Sequence, residues 1–237
     1  MEINREEILA LYDGLRVTDV NDGLDAVGLQ NICIMNRDIR PLWRDIEDFK
    51  HKICGFAVTV RFVPANFALK ADSLEDYRAQ KDHWYFNLAN DVKWRPDLQK
   101  GDVVAIDGFT NTDVGFIGSE NAQWWVNDGA VGIVTNGGCR DTDELIKQQI
   151  PVYSSYIGRG IRPGRVLMQE VNVPMNIGGV LVRPGDLIVA DGDGVVVVPI
   201  EKVYEVAAVA KEIQNRDKQA RRKLFEDAGK ELDFTVQ

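Results

Sequence analysis

Apolar positions along this chain recur with two periods, and the period changes mark the elements. Near the start, Ile8, Leu9, Leu11 and Tyr12 share one helical face, and Thr18 with Asp19 offers a cap for a second helix, so residues 4–27 predict two short helices. Residues 53–63, ICGFAVTVRFV, are β-branched and aromatic and predict a strand. Residues 65–100 set Trp84, Tyr85, Phe86 and Trp94 among many charges; they predict a helix near 71–91 and then a loop. Further on, 118–128 reads as a helix, 130–136 (AVGIVTN) as a strand, 141–149 as a short helix and 151–157 as another apolar run. From 165 to 199 the pattern is dominated by strands, and 200–228 forms one long charged helix.

One phrase occurs twice. Lys100-Gly101-Asp102 runs into VVAID, and Pro184-Gly185-Asp186 runs into LIVAD. Both read as Gly-Asp turns feeding central strands rather than as an internal repeat. Gly178-Gly179 and Asp193-Gly194 are further turn signals. No Pro-, Ser- or Gly-rich linker divides the chain, so residues 1–237 are expected to form a single α/β domain with a projecting C-terminal helix.

Composition narrows the function. The 28 Lys and Arg against 37 Asp and Glu leave a net charge of −9, the wrong sign for a nucleic-acid binder. Two His and three Cys, with no HExxH pattern, are too few for a conventional zinc site or a disulfide framework. The acidic, amphipathic start lacks a secretory pattern and no run of 18 apolar residues occurs, so a cytoplasmic protein without membrane contact is expected. Any metal here would be held by carboxylate oxygens.

The segment richest in chemistry runs from Gly118 to Asp141, GSENAQWWVNDGAVGIVTNGGCRD. A helix starting near Gly118 exposes first-turn N–H groups suited to an anion. The strand that follows ends in Gly137-Gly138-Cys139-Arg140-Asp141. Arg140 offers a planar donor fork for a carboxylate, and Asp141 a hard oxygen for a divalent cation. Local chemistry leaves a second reading open, a Gly-Gly turn in which Asp141 merely caps the helix at 142–149.

This stretch resembles the RraA-like family, which includes class II 4-hydroxy-4-methyl-2-oxoglutarate/4-carboxy-4-hydroxy-2-oxoadipate aldolases. Gly118 precedes Arg140 by 140 − 118 = 22 residues, Gly129 and Gly132 fill a Gly-x-x-Gly element, and Asn136 to Asp141 fill the family's Gly-x-x-Arg-Asp turn. Shorter matches lie at Ile39–Leu42, Gly55–Val60, Gly101–Val104, Asn176–Gly179 and Ala190–Val195. The resemblance implies an α/β/β/α sandwich like the swivelling phosphohistidine domain, assembled as a homotrimer or dimer of trimers. It implies a small anionic oxo-acid substrate, bound by Arg140 and by Gly118, Ser119, Glu120 and Asn121. It implies Asp141 as ligand of Mg²⁺ or Mn²⁺, with Arg140 and Glu120 catalytic. The reaction implied is carbon–carbon lyase chemistry through a pyruvate enolate: retro-aldol cleavage or oxaloacetate decarboxylation.

Two departures stand out. The family aldolases carry an acid directly after the helix-start glycine, where this chain has Ser119 and places Glu120 one step on, a rotation of about 100°. They also receive a carboxylate from a neighbour's C-terminal helix, for which Glu212 and Asp217 are candidates. The alternative function, also from the resemblance, is a non-catalytic regulator that binds an RNA-degrading enzyme. Other residues read more plainly: His51 and His83 as surface positions, Cys139 as packing, Trp124-Trp125 as core, and Asp191-Gly-Asp-Gly as a strand-connecting turn. Asp19, Asp22 and Asp25 are read as helix capping and surface charge, with a share in a neighbour's metal shell as the alternative. Residues 65–100 either reshape a pocket or simply pack.

Overall fold

The computed structural model describes residues 4–89, 93–110 and 112–237. Its helices are α1 (Arg5–Tyr12), α2 (Val17–Ala26), α3 (Leu74–Asn87), α4 (Ser119–Asn127), α5 (Thr142–Lys147) and α6 (Val203–Asp227). The strands begin with β1 (Arg40–Pro41), β2 (Ile53–Pro64), β3 (Asp102–Asp107), β4 (Gly115–Ile117), β5 (Ala130–Thr135), β6 (Gly138–Cys139), β7 (Val152–Ser154) and β8 (Tyr156–Ile157). They continue with β9 (Val166–Val171), β10 (Met175–Ile177), β11 (Val180–Val182), β12 (Leu187–Asp191) and β13 (Gly194–Val198). Each predicted element is found within a few residues of its expected place. The expected end of α3 near 91 lies outside the described residues.

The main sheet runs β1-β7-β5-β3-β2-β12-β13, with β9 also on β2. It curls until its two ends approach: the Arg40 guanidinium donates to the Asp193 carbonyl at 3.1 Å, and the Met35 amide to the Val195 carbonyl at 3.0 Å. The sheet is therefore a nearly closed barrel whose two halves face each other. Strict alternation explains the two-sided burial. In β13, Val195 and Val197 point inward with Ala57, Ala105 and Ile188, while Val196 and Val198 point outward. Helices α1, α2 and α6 cover the outward face of β12 and β13. Helices α4 and α5 cover that of β3 and β5. Helix layer, half-sheet, half-sheet, helix layer is the sandwich that the family resemblance implies, here made by one curled sheet.

Both Gly-Asp turns use the same device. Gly101 and Gly185 take positive φ, +87° and +85°, which a side chain would resist. The aspartate that follows each is buried and accepts from the amide three residues back, Gln99 N to Asp102 at 2.7 Å and Arg183 N to Asp186 at 2.9 Å. The turn at 191–194 is likewise a strand connection, with Asp191 accepting from the Asp193 and Val17 amides.

Only the first part of α6 is anchored, by Val203, Val206, Ala207, Ala210 and Gln214; beyond them its surface is mostly exposed. Of the three aspartates in α2, Asp19 is buried and accepts from Arg16 Nε at 2.9 Å and Gln214 Nε2 at 3.2 Å. Burial pushes the Asp19 carboxyl up, but the Arg16 hydrogen bonds outweigh it and hold it below the usual range.

Two expectations about single residues change. His51 is buried rather than on the surface. Its ring stands edge-on to Trp43 and Phe49, Nδ1 accepts from the Asp45 amide, and burial lowers its pKa. The tryptophan pair divides. Trp125 is buried and stacks on Trp94, while Trp124, one 100° step away, is 39% exposed.

Two stability outcomes follow. A Cβ at Gly23 would lie 2.7 Å from the Val206 carbonyl oxygen, so Gly23→Ala should push α2 off α6 and cost about 1–3 kcal/mol. Urea melts should show a lower midpoint at unchanged slope. The depressed Asp19 pKa contributes stability that is present above about pH 4 and lost as pH falls through the native value. Asp19→Asn should lose less stability than the parent between pH 6 and pH 3, measured by denaturant titration.

Candidate active site

Strands β4 and β6 pair in parallel, Gly115 opposite Gly138 and Ile117 opposite Cys139, so their ends lie side by side. That pairing, which continues to β8, brings Gly118 next to Arg140-Asp141 across 22 residues of chain. The Arg140 amide donates to the Ile117 carbonyl at 2.8 Å. Glycine is required on the β4 side. A Cβ at 115 would come within 2.6 Å of the Arg140 side chain, and one at 118 within 2.6 Å of Asp141 Oδ2.

Asp141 does not cap the helix that follows it. It is the N-cap residue of α5 by position, but its backbone is left-handed (φ +55°) and its side chain makes no cap hydrogen bond there. The carboxylate turns to the other helix instead: Oδ2 accepts from the Ser119 amide at 3.2 Å, at the start of α4. Oδ1 accepts from Arg140 Nε at 3.1 Å. A negative group at a helix N-terminus is favourable. Arg140 and Asp141 are each about one-third exposed, and the guanidinium contact uses Nε, which leaves the paired Nη groups as a fork.

These residues line a cavity of about 130 Å³ together with Glu120 and Asn121. Of the six residues that the resemblance assigns to substrate, metal and catalysis, Gly118, Glu120, Asn121, Arg140 and Asp141 line it; Ser119 joins through its amide, and its hydroxyl bonds to Glu144 of α5. Glu144 itself does not line the cavity. Sequence reasoning missed Arg162, which is buried, lines the cavity, and lies 5.5 Å from the Tyr85 ring and 5.3 Å from the Phe62 ring. Its neighbours come from α3 and β2, and no spacing rule links them. Cys139 is fully buried, its Sγ is 3.2 Å from Ser154 Oγ, and burial raises its pKa; it packs rather than attacks.

Two groups of candidates, expected to serve a neighbouring subunit's site, lie away from this chain's own cavity. Glu212 and Asp217 lie on α6, in the other helix layer, where Asp217 faces Arg16 at 3.6 Å. Asp19 is absorbed by Arg16 and Gln214. Among the described residues, no three His, Cys, Asp or Glu side chains cluster to hold a metal ion. A cation here would rest on Asp141, with Glu120 the other carboxylate lining the cavity. An all-oxygen donor set with space for water or ligand suits Mg²⁺ or Mn²⁺, which keep several waters. No helix among the described residues is long and apolar enough to cross a membrane.

Known proteins share this architecture. An uncharacterized protein from Pseudomonas syringae pv. tomato superposes with a TM-score of 0.73 over 100% of both chains, at 22% identity. A Streptomyces coelicolor protein described as an unusual member of the RNase ES inhibitor RraA protein family superposes at 0.71, over 92% of this chain and 98% of that one, at 22% identity. Protein DlpA of Legionella pneumophila is 28% identical over 188 residues, 79% of this chain and 27% of that protein. An Alcanivorax borkumensis protein named "Putative 4-hydroxy-4-methyl-2-oxoglutarate aldolase" is 33% identical over 103 residues, 42% of this chain and 62% of that protein. The chain thus spans less than two thirds of either relative's length. The model of the RraA-like family, Aldolase/RraA, matches residues 17–197, which take in the curled sheet and the whole Gly118–Asp141 segment, and the chain belongs to that family.

Proposed function

We propose that this protein is a divalent-metal-dependent carbon–carbon lyase that releases pyruvate from 4-hydroxy-2-oxo acids. One observation carries the reading: Arg140 and Asp141 meet the start of α4 at a small polar cavity that Glu120 also lines. A cation donor fork, a hard carboxylate and a second carboxylate are the groups an enolate-forming cleavage needs. The names of relatives such as the Alcanivorax protein support the same chemistry.

In this mechanism the Nη groups of Arg140 bind the substrate's 1-carboxylate and 2-oxo oxygen, fixing the acid in one orientation. Asp141, with Glu120 near, would hold Mg²⁺ or Mn²⁺, which supplies Lewis-acid polarisation of the 2-oxo group. Glu120 takes the proton of the 4-hydroxyl, directly or through one water. The C3–C4 bond breaks, C4 becomes a carbonyl, and the electron pair passes into the 2-oxo system as an enolate beside the Arg140 charge. Protonation at C3 then gives pyruvate. Decarboxylation of oxaloacetate uses the same electron sink, with CO₂ leaving in place of the aldehyde or ketone.

A second reading, a regulator that binds an RNA-degrading enzyme, is favoured by Ser119 standing where the aldolases carry an acid. It gains if no oxo-acid in the following panel is turned over.

With Mg²⁺ or Mn²⁺, lactate-dehydrogenase-coupled assays should detect pyruvate from oxaloacetate or from 4-hydroxy-2-oxo acids. Chelation should stop the release, and Asp141→Ala should abolish it with the circular dichroism spectrum unchanged. Turnover equal to the parent would remove Asp141 from the site. Arg140→Lys keeps the charge but loses the fork, and should lower kcat/KM by about 10²-fold. A loss below twofold would show that Arg140 does not touch the substrate.

A further inference from the structure

The small cavity adjoins a larger one. Glu120, Asn121, Ile161, Arg162 and Tyr85 line both, so the two are one cleft with an inner and an outer room. The outer room holds about 410 Å³ against about 130 Å³ for the inner. Its additional wall comes from α3, inside the segment 65–100, and from the outward face of α4: Phe86 and Trp124, with Lys81 and Asp82 at the rim.

Exposed aromatic side chains are ordinary when scattered. Here Phe86 is 60% exposed and Trp124 39%, and with Tyr85 they converge from two helices on one opening. Two of these walls are held in place. The Arg95 guanidinium lies over the Trp124 ring at 5.1 Å and pairs with Asp128 at 2.7 Å. The Arg162 guanidinium lies 5.5 Å from the Tyr85 ring. An aromatic surface that is already ordered loses little freedom when a flat group stacks on it.

Charge decides between two kinds of occupant. The outer room is lined by Lys81 and Arg162 and by Asp82 and Glu120, two of each sign, and Lys81 Nζ is 3.5 Å from Asp82. A balanced lining gives no gain to a second carboxylate at the far end of the substrate, whereas the aromatic walls favour an uncharged planar group.

We infer that the outer room receives an aromatic substituent, making the substrate class a 4-aryl-4-hydroxy-2-oxo acid rather than a short aliphatic diacid. This rests on the lyase reading for the inner room and names what that site acts on. Cleavage of such an acid breaks C3–C4, moves the hydroxyl proton to the base, and yields pyruvate and an aryl aldehyde with no other reactant.

The test separates binding from turnover. 2-Oxo-4-phenylbutanoate lacks the 4-hydroxyl and cannot be cleaved; 2-oxobutanoate is its truncated counterpart. Calorimetric titration of the protein in Mg²⁺ should give at least about tenfold tighter binding of the phenyl compound. Phe86→Ala and Trp124→Ala should each shrink that ratio, and together bring it near one. Equal affinities in the parent, or a ratio that survives both substitutions, would overturn the inference even where pyruvate is released from short acids. A tenfold ratio in the parent, lost in the variants, with no pyruvate from 4-hydroxy-2-oxo-4-phenylbutanoate, from shorter 4-hydroxy-2-oxo acids or from oxaloacetate, would support the aromatic subsite and sink the lyase reading alone; pyruvate from the short acids but not from the phenyl acid would overturn the aryl substrate class.

Discussion

Double-sided burial of the main sheet is the constraint on which the rest depends. Strands β12 and β13 are buried at every residue, so alternate side chains must satisfy two different cores. A flat sheet would need a separate layer for each face. Curling lets one face of both halves share a single interior, while the helices complete the outer faces. Because the curl uses up the lateral hydrogen bonds of the sheet, the places left for chemistry are the strand ends. There β5 and β7 pass into the short strands β6 and β8 beside β4.

That location explains how the candidate site is held. The pairing of β4 with β6 fixes the two chain segments before any side chain acts. The glycines at 115 and 118 then leave the room that the Arg140 and Asp141 side chains occupy. Asp141 adopts a left-handed backbone, a cost of about 1–3 kcal/mol for a non-glycine residue, and more tolerable for Asp than for most. The hydrogen bonds to Ser119 and Arg140 offset it.

Much of the fold was legible because local signals agreed with the tertiary result. The Gly-Asp turns carry their own geometry, and the runs VVAID and LIVAD read as central strands without any knowledge of their partners. The curl was not legible from residue patterns, since closure depends on β1 meeting β13 across more than 150 residues. At the site, Arg140 and Asp141 could be found from their neighbours in the chain and from family likeness. The direction of the Asp141 carboxylate could not, because capping the next helix and reaching across to α4 require the same residue type. Arg162 escaped for a similar reason: its surroundings, Tyr85 and Phe62, are assembled only in three dimensions. His51 was misjudged because its charged sequence neighbours hid the aromatic cage formed by Trp43 and Phe49.

The Asp141 carboxylate also joins two parts of the chain through one side chain. Its Oδ2 takes the amide of Ser119 and its Oδ1 the Nε of Arg140, so the first turn of α4 and the end of β6 are held by the same planar group. A change in the charge or tilt of that group is felt at both places at once: the amide loses an acceptor and the guanidinium loses its partner. The junction therefore responds as one mechanical unit rather than as two independent contacts.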